Sequence, residues 1–280
     1  MGRGLVNGHT HLELPRVPTA AGLGLPTWIE TFRAGEPPSL AVAQRNAAAV
    51  AATGTTAVID ISNLDVGLPA MAGAGLGGLA LHEFFGIDRP TLGLGVQRAT
   101  PHAPYSTHPD TVREIGARGA RWSIHCDEDP AEREFLREGT GLWRENLLRW
   151  KRDLSWYHPS GLTPVRWLDS LGVLSPRALL VHCTLTGPED LALVAERGAA
   201  ICVCPRSNLH ITGRLPDVPA MFAAGVRVLI GTDSLSSTPD LDVRNELPVL
   251  RAAFPQVPES RWERCLTEDA WAWLDQPEAA

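Results

Sequence analysis

The sequence predicts an α/β chain folded as a (β/α)8 TIM barrel, and three observations predict it. Short β-branched or apolar runs alternate with helical stretches along the whole chain, eight times over, as a parallel sheet covered by crossover helices requires. The length of 280 residues is close to the roughly 250 that one such barrel takes, so residues 1–280 are expected to form a single domain. Polar residues able to do chemistry gather at the C-terminal ends of the runs, where these barrels place their working side chains.

The first run is 5–11. The second, 57–61, follows a helix Leu40–Ala52 with Ser39 as N-cap and Gly54 as its stop. A serine oxygen accepts from the free N–H groups that open a helix, and glycine takes the left-handed turn that ends one. Runs 79–86 and 94–102 come third and fourth, and 121–126 follows a helix opening at Pro109. Run 179–182 is sixth. Ala200–Val203 follows helix 188–197, stopped by Gly198, and 227–232 follows helix 218–224, stopped by Gly225. One segment is enlarged: 127–175, after strand five, carries Trp143, Trp150, Trp156 and Trp167 among several arginines. It reads either as a helical excursion packing its own tryptophans or as a cover over the strand ends.

Composition narrows the function classes. Apolar residues at 44% and charged residues at 20% supply a sizeable core and show no disorder signature. A net charge of -7 disfavours a nucleic-acid partner, which needs a basic face. A mean hydropathy of -0.06 without a long apolar run predicts no membrane span. The opening residues lack the apolar stretch and small-residue cleavage pattern of a secretion signal, so a cytoplasmic protein is expected. Five cysteines without a CxxC pair exclude a disulfide scaffold and suit a reducing compartment.

The strand ends carry the chemistry. The first finishes His9-Thr10-His11, and residues two apart on a strand face the same side, so both imidazoles can hold one metal. The fourth strand ends at His102, the fifth at His125, the sixth at His182 and the eighth at Thr232-Asp233. Each histidine alone has an ordinary explanation as a hydrogen-bonded group; the conjunction at successive strand ends predicts a metal site. His82, His108, His158 and His210 fall elsewhere and are given ordinary roles. Imidazoles with one carboxylate and room for water match catalytic zinc, and iron(II) or manganese suit the same donors. Barrels of this kind that hold two metals usually need a bridging anion, often a carbamylated lysine on strand four. Lys151 is the sole lysine and lies in the excursion after strand five, so one metal is expected.

These residues resemble the amidohydrolase superfamily, and within it the mononuclear aminopurine and aminonucleoside deaminases. The matching segments are Asn7-Gly8-His9-Thr10-His11, Pro101-His102-Ala103-Pro104-Tyr105, His125-Cys126-Asp127-Glu128, Val181-His182-Cys183, Cys204-Pro205-Arg206-Ser207-Asn208-Leu209 and Gly231-Thr232-Asp233-Ser234. The second and fifth resemble the branch that holds methylthioadenosine/S-adenosylhomocysteine deaminases, chlorohydrolases and the aminodeoxyfutalosine deaminases of menaquinone biosynthesis. The run from Gly231 to Ser237 with Pro239-Asp240-Leu241 is most similar to the last. The resemblance implies His9, His11, His125 and Asp233 as metal ligands and Glu128, His182 and Asp233 as catalytic residues. It gives His102 the ribose or a substrate edge. Trp28 and Glu30, expected in the loop after strand one, are candidates for the base and ribose, Arg89 for a carboxylate, and Ser234 and Asn208 for orienting ligands or lining the pocket.

The branch usually carries a longer segment before the HxH strand, which with a C-terminal piece builds a small β-sandwich; here His9 lies near the start and the sandwich is expected to be missing. A homodimer contact would cover the surface it leaves. Three readings compete: an aminonucleoside deaminase, a metal hydrolase of a carbon–chlorine or cyclic amide bond, and a non-catalytic barrel serving as a binding module. Glu128 favours the first, because protonating a ring nitrogen needs an acid beside the metal, although some chlorohydrolases share it.

Overall fold

The computed structural model describes residues 3–33 and 35–275. Its strands are β1 Leu5–Thr10, β2 Thr55–Ser62, β3 Gly77–Phe84, β4 Ala99–Pro101, β5 Trp122–Cys126, β6 Ala178–His182, β7 Ala200–Val203 and β8 Arg227–Ile230. They form two four-stranded sheets in sequential order, β1 to β4 and β5 to β8, with every neighbouring pair parallel.

Hydrogen bonds join the two sheets at both edges. Between β4 and β5, the His125 N–H donates to the His102 carbonyl at 2.9 Å, and the Ser123 N–H donates to Thr100 Oγ1 at 2.7 Å. Between β8 and β1, the N–H groups of Thr232 and Asp233 both donate to the His9 carbonyl at 3.0 Å, and Thr10 bridges to Asp233 in parallel. The ring is therefore closed as a (β/α)8 barrel, and among the described residues every strand belongs to it.

Strand periodicity separates two cores. Leu179, Val181, Cys202 and Leu229 pack with Val6 and Ile59 in one cluster. Their neighbours Leu180, Ile201, Val228 and Ile230 face the other way, into the larger cluster shared with the helices. Alternate side chains point to opposite faces of a strand, and a barrel buries both. Among the described residues no helix is long and apolar enough to cross a membrane.

Helix boundaries follow local chemistry. Ser39 caps Leu40–Ala52 by accepting from the Val42 N–H, and Thr53 closes it before Gly54. Gly54, Gly198 and Gly225 all take positive φ just past their helices. The fourth strand is shorter than expected, three residues against 94–102. The reason is local: the N–H groups of Gly93 and Leu94 are taken by the Glu114 carboxylate at 3.0 Å each, so that stretch turns instead of pairing.

The enlarged segment forms helices Pro130–Glu138, Gly141–Arg149 and Pro164–Ser170, and both readings of its tryptophans hold in part. Trp167 joins the main core. Trp143 packs in a separate cluster with Leu25, Trp28, Ile87 and Tyr105, above the strand ends.

Candidate active site

His9 is the centre of the site and has no exposed surface. Both of its ring nitrogens are buried without a hydrogen-bond partner. An imidazole in that state is costly unless something binds it. Its surroundings supply the other donors for a cation. The His11 ring lies 4.9 Å from it and the His125 ring 5.0 Å. Asp233 Oδ1 approaches His11 Nε2 at 3.6 Å and His9 Nε2 at 3.9 Å. The donor atoms of His9, His11 and Asp233 lie within 4.8 Å of one another, as do those of His9, His125 and His182. The donor set suits a divalent cation.

Neighbouring groups aim these donors. Ser207 Oγ and Ser237 Oγ donate to Asp233 Oδ2 at 2.6 and 3.2 Å, which leaves Oδ1 toward the imidazoles. His125 Nδ1 donates to the His102 carbonyl at 2.8 Å; a carbonyl only accepts, so Nδ1 carries the hydrogen and Nε2 keeps its lone pair for the centre. Asn208 meets His182 Nδ1 at 3.0 Å, turning Nε2 toward Glu128 Oε2 at 3.5 Å. Asp127, His182, Cys183 and Asp233 adopt positive φ. These strained conformations sit where β5, β6 and β8 hand over to the site, as is common where side chains must be aimed.

Burial sets the protonation states. It pulls His9 well below the usual imidazole range, helped by the neighbouring imidazoles. It pushes His11 down to about 4 against the pull of Asp233. Asp233 lies low despite burial because His11 and His182 face it. Glu128 goes the other way: burial, then the charges of Asp233, Glu132 and Asp129, raise it well above the carboxylate range. Its Oε1 has no partner. The Glu128 loop is braced by Arg133, which donates to Asp127 through Nε and Nη2 at 2.6 Å each.

The cavity above the cluster measures about 360 Å3, within the range of small-molecule sites. His11, His102, His125, Glu128, His182, Asp233, Ser234 and Trp28 all line it. His102 is fixed by Ser106 Oγ at 2.6 Å from Nδ1. Trp28 stacks on Phe32 with ring centroids 5.3 Å apart and donates from Nε1 to Thr19 Oγ1 at 3.0 Å.

Three expectations need correction. Glu30 does not line the cavity; its carboxylate accepts from Arg149 at 3.2 Å. Trp28 and Glu30 lie on a helix, Leu25–Arg33, and positions two apart on a helix do not share a face. Arg89 is exposed and away from the cavity, whereas Arg33 and Arg152 line it. Of the two roles open to Asn208, it does not line the pocket; it is buried behind His182 and orients that ring.

Sequence reasoning also missed Glu83, which lines the cavity with Oε1 buried and unpartnered. Asn63 donates to its other oxygen at 3.2 Å. Burial, opposed by Asn63 and reinforced by Glu13 and Asp233, pushes it up to about 8. Glu83, His102 and His125 could form a second donor group by proximity, but His125 Nδ1, 3.7 Å from Glu83, already carries the hydrogen it gives to His102.

Residues 91–256 match the profile described as Amidohydrolase family. An aminodeoxyfutalosine deaminase of Deinococcus radiodurans is 38% identical over 179 residues, covering 60% of this chain and 42% of that protein. A 5-methylthioadenosine/S-adenosylhomocysteine deaminase of Pelotomaculum thermopropionicum is 28% identical over 212 residues, 73% of this chain and 43% of that one. The matched segments thus span less than half of these relatives. Among solved structures, Helicobacter pylori aminofutalosine deaminase in complex with methylthio-coformycin superposes with a TM-score of 0.83 at 21% identity, over 98% of this chain and 74% of that chain. An adenosine deaminase from Xanthomonas campestris with bound zinc gives 0.73 at 23% identity, over 97% and 66%. At such identities the superpositions show a shared fold. The profile match runs from ahead of β4 to beyond β8, over more than half of the residues, and takes in His102, His125, Glu128, His182 and Asp233; the chain belongs to the amidohydrolase family.

Proposed function

We propose that this chain is a metal-dependent hydrolase that removes the exocyclic amine of an adenine-containing nucleoside. The leading substrate is aminodeoxyfutalosine, converted to futalosine and ammonia in menaquinone biosynthesis, and the leading metal is zinc. One observation carries the reading: an unpartnered buried His9 ringed by His11, His125 and Asp233, with a proton-holding Glu128 beside it at the floor of an aromatic cavity. The names of the relatives support the substrate class.

A divalent cation held by His9, His11, His125 and Asp233 supplies the Lewis acidity that makes water a competent nucleophile near neutral pH. Asp233, anionic and anchored through Oδ2 by Ser207 and Ser237, takes a proton from the attacking water. Glu128, its carboxyl raised well above the ordinary range by burial, gives its proton to the ring nitrogen beside the attacked carbon. His182, aimed by Asn208, hydrogen-bonds the oxygen that adds. The proton on Asp233 then passes to the amine, the carbon–nitrogen bond breaks, ammonia leaves, and the added hydroxyl gives its remaining proton to Glu128 as it becomes the carbonyl of the product ring, whose nitrogen keeps its hydrogen. His102 and Ser234 border the substrate, and Trp28 offers a flat apolar wall.

The same site serves a methylthioadenosine/S-adenosylhomocysteine deaminase, and the second relative favours that alternative. The deciding assay gives the zinc-loaded protein adenosine, 5′-deoxyadenosine, methylthioadenosine, S-adenosylhomocysteine and aminodeoxyfutalosine. The ultraviolet shift from adenine to hypoxanthine and the ammonia released are followed together. Turnover is expected, with aminodeoxyfutalosine ranked first; inactivity toward the whole panel overturns the deaminase reading.

A further inference from the structure

His210 has an ordinary role by its place in the sequence, and its surroundings give it a specific one. It stands near the end of the helix Pro205–Ile211, the helix from which Ser207 reaches Asp233 and Asn208 reaches His182. His210 Nε2 lies 2.7 Å from Thr19 Oγ1. Thr19 belongs to the stretch between β1 and the helix Leu25–Arg33. Its hydroxyl also meets the Trp28 indole N–H at 3.0 Å and the Ser236 carbonyl at 3.0 Å.

The hydrogens around Thr19 follow from the chemistry of its partners. An indole N–H only donates and a carbonyl only accepts. The one hydroxyl hydrogen therefore goes to Ser236, and Trp28 takes one lone pair. The second lone pair faces His210 Nε2, so that nitrogen carries a hydrogen and donates it. With all three positions filled, the Thr19 hydroxyl has a single orientation. It fixes the edge of the Trp28 ring, while Phe32 stacks on its face. The backbone alongside is tied to the same helix: the N–H groups of Gly22 and Gly24 donate to the carbonyls of His210 and Ile211 at 2.7 and 2.9 Å.

We propose that His210 is a positioning residue for the cavity wall: through Thr19 it holds the Trp28 ring in place, so that one short helix sets Asp233, His182 and Trp28 together. That a substrate packs against Trp28 rests on the deaminase reading; the latch itself rests on the hydrogen bonds of Thr19. Trp28 is the part of this arrangement that needs such a hold. It comes from a helix that follows a long irregular stretch after β1, and its indole N–H is buried with Thr19 as its partner, so release of Thr19 leaves a buried donor unsatisfied.

The test reads the latch and its use separately. Hydrogen exchange of the indole N–H groups is followed by nitrogen-15 NMR on the zinc-loaded protein, with the Trp28 signal assigned through Trp28→Phe. In His210→Phe the Trp28 indole is expected to exchange about fivefold faster, as the loss of one hydrogen bond of ordinary net worth allows. KM for the aminonucleosides should rise by about as much, with kcat within about twofold of wild type and bound zinc unchanged. His210→Gln, whose side-chain amide can present an N–H at the same point, should restore both values. Thr19→Val removes the acceptor itself and should act at least as strongly; adding His210→Phe to it should change nothing further, because both act along one path. Thr19→Val also carries the test where His210→Phe fails to fold. Wild-type exchange at the Trp28 indole in His210→Phe, or full additivity with Thr19→Val, overturns the proposal. A loss of kcat and zinc together with KM makes His210 a general support of the fold and overturns it as well. Faster indole exchange in the variant, with no amine released from any nucleoside by the wild-type protein, keeps the latch and sinks the deaminase reading.

Discussion

Glu128 and Asp233 are two buried carboxyl groups in one site whose surroundings drive them apart. Glu128 has an unpartnered Oε1, so burial decides and its carboxyl is raised well above the ordinary range. Asp233 is equally enclosed, yet His11, His182 and Ser207 favour its charge. A pair split in this way supplies an acid and a base at the same pH. Replacing Glu128 by Gln should lower kcat by about 10² to 10⁴, the usual range for loss of a general acid, while bound metal per chain stays at the wild-type level. The sign of the expected pH effect follows from the raised position of Glu128: the proton of the proposed acid is held to higher pH than in an ordinary carboxyl and is lost as pH rises through its folded value, so Glu128 should supply the alkaline limb of the rate profile. A Glu128→Gln variant with wild-type turnover, or one that has lost its metal, would remove Glu128 from the role of acid.

At the scale of elements, the site depends on how closely β8 approaches β1. A Cβ on Gly231 would meet the His9 nitrogen at 2.6 Å and the His9 carbonyl at 2.8 Å, both backbone atoms that cannot move without breaking the seam that Thr232 and Asp233 make with His9. Gly231→Ala should therefore cost on the order of 2 kcal/mol or more in urea unfolding and weaken metal binding together with stability; a variant as stable as wild type would show that the seam yields. The requirement was half legible in the sequence. Glycine precedes Thr232-Asp233 in the motif Gly231-Thr232-Asp233-Ser234, and the strand ends that carry imidazoles are legible because a two-residue spacing and a run boundary are both local features. Glu83 was not found, because an acidic residue inside a run ending at Gly86 reads as the polar half of an alternation, and only the closed ring shows that it faces inward. Glu30 is misplaced for a related reason: a loop reading of Trp28 and Glu30 misses the helix Leu25–Arg33, whose turn decides which side chains enter the cavity. Arg33 and Arg152 are far apart in sequence and share one wall only because helices Leu25–Arg33 and Gly141–Arg149 pack together, which no local pattern reports.

Over the whole molecule, the donor set ties together parts that the backbone joins sparsely. His9 belongs to the first four-stranded sheet and His11 follows directly after its first strand, whereas His125 lies in the second sheet and Asp233 just beyond it. A cation shared by these four links the halves beside the β8–β1 seam and binds only the folded chain, so its affinity adds to folding stability. With zinc about a thousandfold above its dissociation constant the gain is about 4 kcal/mol, and at this size that corresponds to roughly 10 °C in thermal midpoint. Chelator should lower the midpoint by about that amount, zinc should restore it, and Asp233→Asn should show much less difference between the two conditions. The dependence on pH has a definite direction. Burial leaves the imidazoles neutral and Asp233 charged at neutral pH, so no proton has to leave before a cation enters. The chelator-sensitive shift should stay level through neutral pH and fade as His11 takes up a proton near its depressed value of about 4. Scanning calorimetry with and without chelator checks this, and a midpoint indifferent to chelator at neutral pH would mean that these four side chains do not share a structural cation.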